Sequence, residues 1–170
     1  MNDTTIKLLG TQELDDKTLQ QVDGLLHLLN PGAGEIEAGR LTRLIDDERL
    51  KLFVAERHLQ DISRNLTDNG SGAIDSKLVG MLTLCVCPTL AQDKLWIEDV
   101  IVDDSCRRKG VGRALVKAAV AYAASKWPGN TIYLTSNPAR QAARALYTSE
   151  GFEEYNTGVF RLHPSSHLKH

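Results

Sequence analysis

No stretch of this 170-residue chain approaches the roughly 18 consecutive apolar residues that a bilayer-spanning helix needs. Its opening, MNDTTIKLLG, has neither a basic start nor an apolar run, so export is not expected and the chain reads as cytoplasmic, away from membranes. It also lacks a positive excess: Lys and Arg total 20 against 22 Asp and Glu, for a formal net charge of -2. A surface that tracks nucleic acid or anionic lipid throughout would carry one. Cysteine is sparse. Cys85, Cys87 and Cys106 are an odd number, which does not read as a disulfide framework. No second Cys or His pair stands at zinc-ligand spacing, so no metal is expected. Cys85 and Cys87 fall on one face of a strand and read as small buried hydrophobes. Internal repeats and low-complexity blocks are missing too.

What is present is a globular mixture, 42% hydrophobic and 25% charged, long enough for one domain with a real core over residues 1–170. Periodicity predicts strands at 5–9, 51–56, 77–87, 96–102 and 131–135, and helices at 15–29, 36–50, 111–126 and 138–149. Asn137 is the expected N-cap of the last helix, with Pro138 at its first position and Gly151 past its end. Residues 152–155 and 158–162 read as a final antiparallel pair, which is also a candidate edge for a homodimer. Residues 61–76, rich in Asn, Asp, Gly and Ser, read as a hairpin tip or a disordered loop, and 164–170 as a frayed tail. The strand at 96–102, the helix at 111–126 and the strand at 131–135 make a right-handed parallel unit. Ligands of such units lie beyond the carboxyl ends of the strands.

The turn inside that unit carries Arg107, Arg108, Lys109, Gly110, Val111, Gly112 and Arg113. Cations at a helix N-terminus oppose its dipole, so helix stability does not account for them. An anion held between the cations and the free amides does, and two glycines let it approach the backbone. The turn does not end Gly-Lys-Ser/Thr, which excludes a P-loop, and Leu115 stands where a dinucleotide fingerprint needs its third glycine. A compact pyrophosphate cradle remains.

These residues resemble a known family. WIEDVIVDDSCRRKGVGRAL, residues 96–115, is similar to the acetyl-CoA signature of the GNAT N-acetyltransferases, a strand followed by Arg/Gln-x-x-Gly-x-Gly/Ala at a helix start. LTSNPARQAARALYTSEGF, residues 134–152, is similar to the family's later motif, a strand end, a helix with a Leu-Tyr pair and then Gly-Phe. The resemblance covers most of the chain. It implies an α/β (α+β) GNAT fold: a mixed, mostly antiparallel sheet of six to seven strands with a central, splayed parallel pair, flanked by about four helices.

The resemblance further implies acetyl-CoA as co-substrate, used without metal. Val100, Ile101 and Val102 would offer backbone groups to its pantetheine arm, and an N–H of Val100 or Ile101 to the thioester carbonyl. The amides from Arg107 to Gly112, with Arg113 just after, would hold its diphosphate. Asn137 and Arg140 would touch it at the exit of the second strand. Many members carry Asn seven residues before the Tyr where this chain has Arg140, which moves the implied contact toward phosphate or adenine.

Acetyl transfer needs a neutral amine, and alkylamines titrate near 10, so a base is required. The resemblance puts it at Glu98, with Asp99 second because a bulge in this strand would exchange the faces. Strict alternation would put Trp96, Glu98 and Val100 on one face and Ile97, Asp99 and Ile101 on the other. Tyr147 would donate a hydrogen bond to the departing sulfur. Trp96 either lines the acceptor pocket or packs in the core.

The expected acceptor is a primary amine of a small molecule, because the loops at 30–39 and 61–76 are long enough to cover a peptide groove. The run Ile97-Glu98-Asp99-Val100 also resembles amino-sugar phosphate acetyltransferases of the superfamily. Two alternatives stand beside this reading: acetylation of a protein N-terminus or lysine, and a CoA-binding module without turnover. A nucleic-acid partner is not expected, since no aromatics interleave the basic cluster.

Overall fold

The computed structural model describes residues 4–58 and 76–162. Five strands, β1 (Thr4–Leu8), β2 (Leu50–His58), β3 (Ser76–Cys87), β4 (Lys94–Val102) and β5 (Ile132–Leu134), lie side by side in chain order. The first four are antiparallel neighbours, and β5 pairs with β4 in parallel. Four helices complete the fold: α1 (Asp16–Leu29), α2 (Ala38–Asp46), α3 (Val111–Lys126) and α4 (Gln141–Ser149).

The sheet is covered on both faces. Leu82, Leu84, Leu95 and Ile97 pack with Leu115, Val116 and Ala119 of α3 on one side. Leu52, Val54, Met81 and Ile101 pack with Val22 and Leu25 of α1 and Leu41 and Ile45 of α2 on the other. Double coverage explains the near-continuous apolar runs of β2 and β3. Leu82 and Leu115 are completely buried, and truncating either to Ala costs about 2–5 kcal/mol. A Cβ on Gly80 would stand 3.0 Å from the Ile101 carbonyl and 3.2 Å from Leu115 Cδ1, so this glycine lets α3 settle against the sheet.

Helix starts follow local chemistry. Asp15 Oδ1 accepts the Thr18 amide at 2.7 Å and caps α1. The second helix is shorter than the expected 36–50. It stops at Asp46 because Asp47 takes both the amide and the guanidinium of Arg49, which turns the chain into β2. The last helix begins at Gln141, not 138. Asn137 Oδ1 accepts the Ala139 amide at 2.9 Å, closing a local turn before the helix starts, and Arg140 takes the N-cap position.

The final strand pair does not form. Residues 152–162 contain no strand, so the described sheet has five strands rather than six or seven. The parallel pair therefore lies at the sheet's edge, not its centre. A three-residue β5 offers few ladder bonds to a neighbour, and Tyr155, Val159, Phe160 and Leu162 are exposed with no core to enter. The homodimer edge expected from that pair loses its structural basis. Of the loop expected at 61–76, Ser76 is instead the first residue of β3, and 61–75, like the tail at 164–170, lies outside the described residues.

Candidate functional site

The pairing of β4 with β5 covers only Leu95–Ile132, Trp96–Tyr133 and Ile97–Leu134. β5 ends at Leu134, whereas β4 runs on to Val102, so beyond Ile97 no described strand pairs with that edge of β4. At the far end of β4 the chain makes a short 3₁₀ turn (Asp104–Cys106) and enters α3. Asp103 sets this turn. Its carboxylate accepts the Ser105 amide at 2.9 Å and hydroxyl at 2.6 Å, and the Lys77 ammonium at 2.9 Å. The Ser105 and Lys77 bonds pull its pKa down to about 2.

Gly110 is the N-cap of α3 at φ 84, in the left-handed region, and no side chain caps the helix. The first-turn amides are therefore left for an external acceptor. Nothing lies within 4 Å of where a Cβ on Gly110 would stand. Arg107, Arg108, Lys109 and Arg113 are all exposed around this opening. Three of them have internal partners: Arg107 meets Asp104 at 2.6 Å and the Val102 carbonyl at 3.3 Å, Lys109 donates to the Ser105 carbonyl at 2.8 Å, and Arg113 is ion-paired with Glu150. Gly112 stands close under Leu146, 3.4 Å from where a Cβ would lie, which ties α4 to the cradle. An uncapped helix start, open space over a glycine and surrounding cations together fit a diphosphate.

The two carboxylates are brought together by a bulge. Thr83 pairs with Glu98 and Met81 with Ile101, so Asp99 and Val100 together oppose Leu82. Asp99 takes φ 51 to accommodate the extra residue. Alternation therefore breaks: Val100 and Val102 join Leu95 and Ile97 on the α3 side, and Ile101 turns to the α1/α2 side. This corrects the faces that strict alternation assigns. Glu98 keeps the face of its partner Thr83, and Asp99 reaches the same face, where its Oδ2 accepts the Thr83 hydroxyl at 3.1 Å. Burial, then the Asp99 charge, push the Glu98 pKa up.

Cys85 lies on this face as well. Burial and the two carboxylates raise its thiol to about 11, so it stays protonated and unreactive. It is half-buried, and Cys87 is exposed, contrary to the expectation that both are buried. Cys87 sits where β3 runs out past both cores.

Tyr147 is buried, 9% exposed, in the α3-side core against Phe152. Burial raises its phenol and the Arg140 charge opposes that rise, which brings Arg140 electrostatically into the site. Asn137 and Arg140 are exposed at the turn after β5. Two residues were not foreseen in the site. Thr83 gives a sequence signal only as a lone hydroxyl in an apolar strand. Tyr133 stacks on Trp96 with centroids 5.2 Å apart, and neither ring belongs to either core.

Among solved structures, a putative acetyltransferase from Agrobacterium tumefaciens str. C58 superposes with a TM-score of 0.68 at 24% identity, over 94% of this chain and 99% of that one. The aminoglycoside acetyltransferase meta-AAC0020 from an uncultured soil metagenomic sample, in complex with sisomicin, gives 0.68 at 19%, over 95% and 97%. The aminoglycoside N-acetyltransferase AAC(6')-Iy in complex with CoA gives 0.66 at 16%, over 96% of each chain. These likenesses establish a shared fold. Human N-acetyltransferase 8 is 29% identical over 109 residues, 60% of this chain, which spans about half (48%) of that protein's length. The acetyltransferase (GNAT) family matches residues 39–152, a span holding β2 to β5, the Gly110 cradle, the bulge and Tyr147. The chain is therefore a member of the GNAT family.

Proposed function

We propose that residues 1–170 form one N-acetyltransferase domain that moves an acetyl group from acetyl-CoA to a primary amine of a small molecule by direct attack. The observation that carries this is the end of the β4–β5 pairing at Ile97, which leaves the rest of that edge of β4 without a strand, on the same chain segment as an uncapped, cation-ringed helix start at Gly110. A neighbour of the same fold that holds CoA, and others named as aminoglycoside acetyltransferases, support the donor and the acceptor class. In this reading the amides from Arg107 to Gly112 and the Arg113 guanidinium hold the diphosphate. The backbone of Val100, Ile101 and Val102 holds the arm that follows, and Asn137 and Arg140 close over it from the β5 side. Acetyl-CoA supplies the activated thioester.

The amine enters from the face of Glu98 and Asp99, where an ammonium is attracted. Glu98 accepts its proton, directly or through one water. Its raised pKa brings it nearer the working pH of a general base without making it a strong one. Asp99, held by Thr83, keeps a second charge beside the ammonium. Tyr147, whose phenol burial makes still less acidic, donates a hydrogen bond as the sulfur gains charge; full transfer from a phenol to the conjugate base of a more acidic thiol runs uphill. Calorimetry with CoA, then thiol release with acetyl-CoA and a panel of amines, tests the reading. Binding followed by amine-dependent release is expected, and absence of CoA binding overturns it.

A further inference from the structure

Glu150 is an acid in a place that disfavours one. It is the C-cap of α4, where the helix dipole repels a negative charge, and its side chain is only 9% exposed. A carboxylate so placed needs a cation beside it throughout, because a buried charge without a partner is costly. Two cations of α3 stand within reach, one turn apart. Arg113 holds Oε1. The Lys117 ammonium lies 4.0 Å from Oε2, at the outer limit of an ion pair, on a side chain that is 65% exposed and free to move. Glu150 also closes the end of the helix that carries Tyr147. Its amide donates to the Leu146 and Tyr147 carbonyls, and the Phe152 amide returns to the Tyr147 carbonyl at 3.0 Å.

We infer that Lys117 is a positioning residue for the donor: as a diphosphate draws Arg113 away, the Lys117 ammonium closes on Glu150 and keeps that carboxylate paired. The inference rests on the reading of the Gly110 turn as a diphosphate cradle. Lys117 stands a full turn beyond Arg113, away from the helix start, so it acts through Glu150 and not on the donor. Before binding, Arg113 neutralises Glu150 and Lys117 is largely hydrated. After binding, Arg113 neutralises phosphate and Lys117 neutralises Glu150. Without Lys117, donor binding strips a buried carboxylate of its partner, and that cost is subtracted from affinity. The exchange also leaves the end of α4, and Tyr147 with it, in place.

The test is a double-mutant cycle on the full chain, read as CoA affinity by calorimetry, with thermal melts to check folding. Lys117→Met is expected to weaken CoA about fivefold, and Lys117→Arg to keep wild-type affinity. In the Glu150→Gln background there is no charge to hand over, so Lys117→Met is expected to change affinity less than about twofold. Lys126→Met removes the same charge from the far end of α3, about 13 Å further along the helix, and is expected to change it less than about twofold. Wild-type affinity in Lys117→Met overturns the inference and leaves the cradle reading standing. An equal loss with and without Glu150, or an equal loss from Lys126→Met, also overturns it, because long-range attraction then accounts for the effect. Wild-type protein that binds no CoA removes the cradle reading, and the inference falls with it.

Discussion

The Thr83 hydroxyl donates to Asp99 Oδ2 at 3.1 Å across β3 and β4, at the point where the bulge turns Asp99 onto the face of Glu98. Thr83 is buried, 6% exposed, among apolar neighbours, so this bond is its reason for being there. Thr83→Val keeps the shape and removes the donor. The expected result is a loss of about 1 kcal/mol in urea unfolding, and a severalfold fall in kcat with unchanged KM for acetyl-CoA. Wild-type kcat in this variant would remove Asp99 from the catalytic reading.

Glu98 titrates above an ordinary glutamate because burial and Asp99 both disfavour its charged form. As a base it works only when ionised, so the rate rises with pH through that elevated pKa. Glu98→Gln is expected to abolish this acidic limb and lower kcat about 10²-fold or more while sparing CoA affinity. For stability the sign is opposite. The native state holds the Glu98 proton more tightly than the unfolded chain, so ionising it costs the fold, and the cost appears as pH rises past the usual carboxylate range. A pH–rate profile of the variant that keeps the wild-type limb would exclude Glu98.

Arg113 is paired with Glu150, whose side chain is only 9% exposed, and Lys117 lies 4.0 Å from the same carboxylate. Diphosphate must draw Arg113 away from this partner. Arg113→Ala is expected to weaken CoA about tenfold, and the difference should shrink in high salt. Glu150→Gln frees the guanidinium and is expected to tighten CoA severalfold. Calorimetry at two salt concentrations measures both.

The two cradle glycines should separate binding from stability. Gly110→Ala forces a side chain to φ 84, a strain of about 1–2 kcal/mol, and puts its methyl into open space. Gly112→Ala puts one 3.4 Å from Leu146, against α4. The first is expected to lose CoA affinity out of proportion to its stability, the second chiefly thermal stability. Calorimetry set beside thermal melts distinguishes them.

Tyr147→Phe preserves the edge-on contact with Phe152 and removes only the hydroxyl. The melting temperature is expected to move by a few degrees at most, and kcat to fall about 10- to 100-fold at unchanged KM for acetyl-CoA. Full kcat in this variant would leave Tyr147 a packing residue.

Local chemistry carried much of this protein. Apolar spacing at helical period marked α1, glycines beside the basic cluster marked the start of α3, and apolar runs marked β3 and β4, because those signals act within a few residues of one another. The cradle from Arg107 to Arg113 was equally legible: cations against a helix dipole are anomalous in the sequence itself. Packing between distant segments decided the rest. The bulge at Asp99 depends on the register between β3 and β4, so sequence could name two carboxylates but not put them on one face. Trp96 read equally as core or pocket; it is β5 that sets Tyr133 beside it, and neither ring joins either core. Residues 152–162 have strand-like patterning, yet strands form only where an edge offers enough partners, and a three-residue β5 does not.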